Sequence, residues 1–183
     1  MKTYTLCTAL AVATSFVLSA SAAKEAPLAE PAPAEAAPAL SQGLADLLPA
    51  ELIKADGSKV AAAELAGKPL VGIYFSAHWC PPCRGFTPSL VKFRDANEKD
   101  FEVVFVSSDK DAEAMKGYMS EYKMKWLGVP KGAPQERALS KKYGVRGIPT
   151  LVILKADGTM VTKDGRADVS KDPEGAVAKW KSS

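Results

Sequence analysis

The chain has 183 residues, of which 47% are hydrophobic and 25% charged, with 24 Lys and Arg against 21 Asp and Glu. That length holds one domain plus targeting or linker sequence, and a formal charge of +3 is too small and too scattered to mark a nucleic-acid partner. The single histidine, His78, excludes multi-histidine metal sites, three cysteines (Cys7, Cys80, Cys83) exclude a disulfide-dense scaffold, and no apolar run reaches the roughly 18 residues that a membrane helix needs.

Residues 1–23 read as a secretory signal. Lys2 supplies the positive start, residues 6–18 are mostly apolar, and Ala20-Ser21-Ala22 offers the small residues a signal peptidase requires. The expectation is export to a periplasmic or extracellular, oxidising compartment, loss of Cys7, and no stable membrane insertion after cleavage. An uncleaved anchor is the alternative. Residues 24–40 are rich in Ala and Pro with almost nothing large to bury, which predicts an extended tether. The folded domain is then expected over 41–183.

Within it, residues 51–54 are a short strand candidate ended by Asp56-Gly57. Residues 70–75 (LVGIYF) are apolar throughout, as a strand buried on both faces should be. A helix is predicted over 82–97, with Phe86, Leu90 and Phe93 on one face, and a second buried strand over 101–107 (FEVVFVS). Met115, Tyr118, Met119 and Tyr122 recur at helical spacing inside 111–123 and read as core. A further helix is predicted over 134–143, opened by Pro134 and closed by Gly144. A third buried strand over 150–154 (TLVIL) turns at Asp157-Gly158 into a hairpin partner over 159–163. A last helix is predicted from Asp172, the cap, with Pro173 in its first turn. This order implies a three-layer α/β domain, a central mixed β-sheet flanked by helices. Its first strand pair should be parallel and its last antiparallel.

The chemistry lies at Trp79-Cys80-Pro81-Pro82-Cys83, where a buried strand gives way to a helix. Helix N-termini carry unsatisfied N–H groups and partial positive charge, so a thiolate at Cys80 is stabilised. Cys83, one turn further in, should be more buried, with its sulfur within bonding reach. Such an asymmetric pair suits thiol–disulfide exchange: Cys80 as nucleophile on a substrate disulfide, Cys83 as the resolving thiol. A passive staple is a poor alternative, because so short a loop gives little entropic stabilisation. Zinc needs more ligands than the mature chain offers. Covalent haem needs His directly after the second Cys, where Arg84 stands. Two thiolates can hold Cu(I), so a non-catalytic copper carrier or partner-binding module stays open. No resident metal or cofactor is expected.

The string Tyr74-Phe75-Ser76-Ala77-His78-Trp79-Cys80-Pro81-Pro82-Cys83-Arg84-Gly85-Phe86-Thr87-Pro88 resembles the tryparedoxin and nucleoredoxin branch of the thioredoxin superfamily. Trp126-Leu127-Gly128-Val129-Pro130, Gly147-Ile148-Pro149-Thr150-Leu151 and Lys171-Asp172-Pro173-Glu174-Gly175 continue the resemblance. It implies a thioredoxin-like fold. It also implies a cis Pro149 facing the cysteine pair, with the backbone of Ile148 pairing with an incoming substrate chain and Trp79 shaping the surface that meets it. Pro88 matches the kink proline of the active-site helix. Thioredoxins proper carry a buried Asp where Tyr74 stands, which leaves the proton acceptor for Cys83 open. His78, Tyr74 and Trp126 are candidate modulators. Oxidants and isomerases of the superfamily usually carry His where Pro82 stands, so the expected activity is reduction. Oxidation or isomerisation is the alternative. The expected partners are disulfide-containing protein substrates and an electron donor that the sequence does not name, with the protein acting as a monomer.

Overall fold

The apolar run at 70–75 becomes an interior strand of a seven-stranded sheet in the computed structural model, which describes residues 39–183. The signal and nearly all of the tether expected upstream lie outside the described residues. Ser41 caps a short helix α1 (Gln42–Ala45), accepting from Leu44 N at 3.3 Å. Strands β1 (Glu51–Ile53) and β2 (Lys59–Ala61) form a hairpin whose turn places Gly57 at φ +84°. A 3-10 turn (Ala62–Leu65) leads to β3 (Leu70–Ser76), α2 (Pro81–Ala96), β4 (Phe101–Ser107), α3 (Ala112–Glu121) and β5 (Leu127–Gly128). The chain closes with α4 (Pro134–Tyr143), β6 (Thr150–Lys155), β7 (Met160–Thr162), α5 (Gly165–Lys171) and α6 (Ala176–Lys181).

The strand order is β2-β1-β5-β4-β3-β6-β7. β3 runs parallel to β4 and antiparallel to β6, and β6 pairs antiparallel with β7, the mixed sheet expected from the element order. Side chains alternate across β3. Leu70 and Tyr74 enter one core with Phe86, Phe101, Trp126 and Trp180. Val71, Ile73 and Phe75 enter the other, with Leu44, Leu139 and Tyr143. Helices therefore cover both faces, making three layers. Glu102 interrupts an otherwise apolar β4 and is still buried, because Arg94 of α2 forks over it with Nε–Oε1 at 2.9 Å. A charge-assisted fork of this kind is what lets a carboxylate sit there.

Four elements go beyond the sequence reading, and one differs from it. α1, β2, β5 and α5 are short, and α5 offers Val169 alone as a large buried side chain, so no amphipathic stripe announces it. Asp172 does not cap the last helix. It ends α5, and its carboxylate accepts from Gly175 N at 3.0 Å, so that α6 starts at Ala176. Pro173 sits in the intervening turn rather than in the helix.

β3 and β6 are antiparallel, so the two ends of the sheet carry different things. Thr150 pairs with Phe75 at one end, and Lys155 with Leu70 at the other. At that second end the β6–β7 turn receives α1. The Ser41 hydroxyl donates to Ala156 O, and the approach of Asp157 O leaves no room for a Cβ at Gly43.

Candidate active site

β3 stops at Ser76, and residues 77–80 turn the chain into α2. Cys80 is the N-cap of that helix. Its sulfur accepts from Cys83 N at 3.3 Å, and prolines fill the first helical positions, where a missing N–H costs nothing. Cys80 and Cys83 are joined as a disulfide with Cα atoms 5.2 Å apart. Cys83 is fully enclosed, Cys80 is 5% exposed, and the neighbouring Trp79 is 64% exposed. Access to the pair is therefore from the Cys80 side.

The α4–β6 connection supplies the opposite wall. Ile148-Pro149 is a cis peptide. Ile148 packs against Ala77 and both cysteines, and its carbonyl oxygen lies 3.8 Å from Cys80 Sγ. Trp79 turns its indole towards the end of β4, donating from Nε1 to Ser108 O at 3.1 Å. Cys80, Cys83, Trp79, Ile148 and Pro149 thus converge at one end of the sheet.

Tyr74 and Trp126 are buried behind that cluster, while His78, with its side chain 39% exposed, turns to Glu121. His78 Nε2 lies 3.0 Å from Glu121 Oε2, and its ring stacks on Tyr118 with centroids 5.3 Å apart. Trp126 is buried, edge-on to Tyr74 at 6.3 Å, and its Nε1 has no hydrogen-bond partner among the described residues. Tyr74 belongs to a buried hydroxyl layer directly beneath Cys83. Thr87 Oγ1 donates to Cys83 O at 2.9 Å, then accepts from Tyr74 OH at 2.9 Å and Tyr118 OH at 2.6 Å. Ser76 Oγ donates in turn to Tyr118 OH at 3.2 Å. This assignment uses each hydroxyl proton once. Burial raises the pKa of Tyr74, with the neighbouring Tyr118 adding to the effect, and burial likewise raises that of Tyr118. Both stay neutral donors.

Two participants escape the sequence reading. Tyr118 counts there as plain core, yet its hydroxyl completes the layer under Cys83. The available signal was Thr87, four residues after Cys83, where a threonine hydroxyl on a helix bonds back to a carbonyl. Asp109 is 4% exposed and ties the turn before Cys80 to the end of β4. It accepts from His78 N at 2.9 Å and from Ser107 Oγ at 2.8 Å. Nothing in local spacing announces that contact. Among the described residues no group of three or more His, Cys, Asp or Glu is placed to hold a metal ion.

Beside Ile148 and Ser108 a groove of about 1240 Å³ runs past the start of α3 and along α4.

This geometry agrees with what the chain resembles. A family profile described as thioredoxin-like matches residues 67–160. Tryparedoxin of Trypanosoma brucei brucei is 41% identical over 145 residues, which cover 75% of this chain and 97% of that one. Human nucleoredoxin is 39% identical over 140 residues, 74% of this chain but 31% of the longer protein. Nucleoredoxin of Danio rerio is 45% identical over 115 residues, 60% of this chain and 27% of that one, so the chain spans less than a third of these two nucleoredoxins. The crystal structure of native tryparedoxin I from Crithidia fasciculata superposes with a TM-score of 0.65 at 47% identity, covering 73% of this chain and 94% of that one. A strand-to-helix disulfide facing a cis proline, on a sheet of this order and at these identities, leaves one assignment: the chain belongs to the thioredoxin-like family, in its tryparedoxin and nucleoredoxin branch.

Proposed function

We propose that the protein is an exported thiol–disulfide oxidoreductase whose net direction is reduction of disulfides in protein substrates. The observation that carries this reading is the asymmetry of the pair: Cys80 caps a helix beside the exposed Trp79 and the Ile148 carbonyl, while Cys83 is enclosed behind it.

In the reduced protein the Cys80 thiolate attacks one sulfur of the substrate disulfide. That S–S bond breaks, a mixed disulfide forms, and the substrate's other sulfur leaves as a thiolate that takes up a proton. Cys83, once deprotonated, attacks Cys80 Sγ. The mixed disulfide breaks, the second substrate thiol departs, and the Cys80–Cys83 bond remains. Two electrons have passed to the substrate, and an external dithiol must return them. The helix N-terminus and the Cys83 N–H stabilise negative charge on Cys80. The hydroxyl layer holds the Cys83 carbonyl, and hence the first turn of α2, in place.

The test is reduction of insulin disulfides with dithiothreitol as donor, which should run well above the rate of dithiothreitol alone. The direction is tested by equilibration with glutathione. Pro82 offers the reduced Cys80 no further donor, which predicts a potential of roughly −200 to −270 mV. A potential above about −150 mV would reassign the protein to oxidation or isomerisation, with the fold and the cysteine roles unchanged.

Export rests on the amino-acid pattern of residues 1–23. The mature protein should begin at Ala23 or Lys24. Edman sequencing of the protein recovered from the periplasm or medium checks this, and a chain beginning at Met1 would replace the signal with an anchor.

A further inference from the structure

The groove beside the cysteine pair is net positive, lined by Lys110, Lys131, Arg137, Lys141 and Arg146 against Asp111 and Glu136. Two of its cations are occupied locally. Lys131 Nζ lies 3.3 Å from Glu136 Oε1 and also donates to Ser107 O, and Lys110 Nζ lies 3.5 Å from Asp111 Oδ2. The two carboxylates, which also accept from Gly132 N and Ala114 N, match these two lysines in number and leave the remaining cations in excess. Arg137, Lys141 and Arg146 also line the groove, are exposed, and have no ion-pair partner among the described residues. α3 and α4 both start at this groove, and the N-cap of α4, Ala133, offers no side-chain cap. The Asp111 carboxylate caps α3 and Glu136 stands in the first turn of α4, so the two helix ends are offset locally and the positive field is that of the side chains.

The groove also shares two residues with the surroundings of the cysteine pair. One of its residues, Ile148, places its carbonyl against Cys80 Sγ, and another, Ser108, holds the Trp79 indole. A substrate whose disulfide lies at Cys80 must lead part of its chain over Ile148 or past it, into this positive field. The volume of about 1240 Å³ exceeds the roughly 300–1,000 Å³ of small-molecule pockets and suits several residues of extended polypeptide.

We propose that this groove is the substrate-selecting surface of the site, and that it takes an acidic, Asp- and Glu-rich segment lying next to the disulfide of a protein substrate. This rests on the reductase reading above. Because the cations are exposed, their contribution is to encounter and orientation, and it is screened by salt.

The experiment uses three synthetic peptides with the same intramolecular disulfide and an adjoining run of four acidic, four neutral or four basic residues. Dithiothreitol regenerates the full-length protein as purified. At about 20 mM salt kcat/KM for the acidic peptide should exceed that for the neutral one by about tenfold, with the basic peptide slowest. At about 500 mM salt the three should come within about threefold of one another. The double variant Arg137→Glu with Arg146→Glu should reverse the order of acidic and basic peptides. Equal rates for the wild type at low salt would overturn the proposal while leaving the reductase reading intact, and need no variant to fold. A preference that survives in the folded double variant would also overturn it. Reduction of none of the three peptides would overturn the reductase reading and this proposal with it.

Discussion

Cys80→Ser should bring insulin reduction down to the rate of dithiothreitol alone, and Cys83→Ser should trap substrate as a mixed disulfide. The two outcomes differ because the two sulfurs stand differently. Cys80 Sγ faces the Ile148 carbonyl beside exposed Trp79, whereas Cys83 is enclosed and its carbonyl is held by Thr87. A serine at 80 removes the attacking sulfur, and Cys83 has no path to a folded substrate. A serine at 83 leaves the attack intact and removes the group that resolves it, so the covalent adduct should accumulate near stoichiometrically and release on added dithiothreitol. Non-reducing electrophoresis followed by intact mass reads both. Adducts on the Cys80 variant and none on the Cys83 variant would exchange the two roles. Captured partners would at the same time show whether native substrates carry acidic segments beside their disulfides.

Trp180→Ala should cost about 3–5 kcal/mol of stability, the range for an enclosed large aromatic cut to a methyl group. Trp180 is fully buried on α6, with ring centroids 5.6 Å from both Phe93 and Phe101, and its indole N–H donates to Asp168 Oδ2 at 2.8 Å. These three rings meet edge-on or tilted in one cluster that joins α6, α2 and β4. That core also contains Tyr74 and Trp126, so the layer that supports Cys83 loses part of its backing. Trp180→Phe keeps most of the apolar contact and drops the hydrogen bond to a carboxylate, at about 1.5–3 kcal/mol. Urea unfolding of both variants measures the difference. A loss under about 1 kcal/mol in the alanine variant would mean that α6 does not unfold with the rest of the sheet.

Much of the central sheet was legible because its strands are mostly apolar runs, broken in β4 by Glu102, and such runs have few other uses in a chain this size. The strand over 101–107 and the helix over 134–143 fall where expected, the latter because Pro134 and Gly144 (φ +61°) punctuate both ends. The edges were less legible. β2 is three residues long and half exposed, so alternation has no length in which to show, whereas β7, equally short, was legible from the Asp157-Gly158 turn before it. The start of α6 was misplaced because Asp followed by Pro has the same appearance at a helix cap and in a turn between two helices. At the site, the cysteines were legible from a strand-to-helix junction and Ile148-Pro149 from a resemblance. Asp109 was not, because its partner His78 N lies 31 residues away in sequence and is brought there only by the β3–β4 pairing.

The docking of α1 on the β6–β7 turn has a consequence for how the molecule can be held. Six-residue β6, about 20 Å of strand, separates that turn from the end of the sheet where Pro149 and Cys80 meet. The Asp157 carbonyl approaches too closely to admit a side chain at Gly43, and Leu44 is anchored in the core below. The chain therefore enters the domain at a fixed point on the pole opposite the disulfide. Anything grafted ahead of Ser41 — a tag, a bead, a lipid or a carrier domain — leaves Cys80 pointing outwards, so immobilised protein should retain the turnover of free protein. The C-terminus lies at the same pole, where Lys155 Nζ donates to Ser183 O and Lys181 Nζ lies 2.7 Å from Asp100 Oδ1, so attachment there should be tolerated equally.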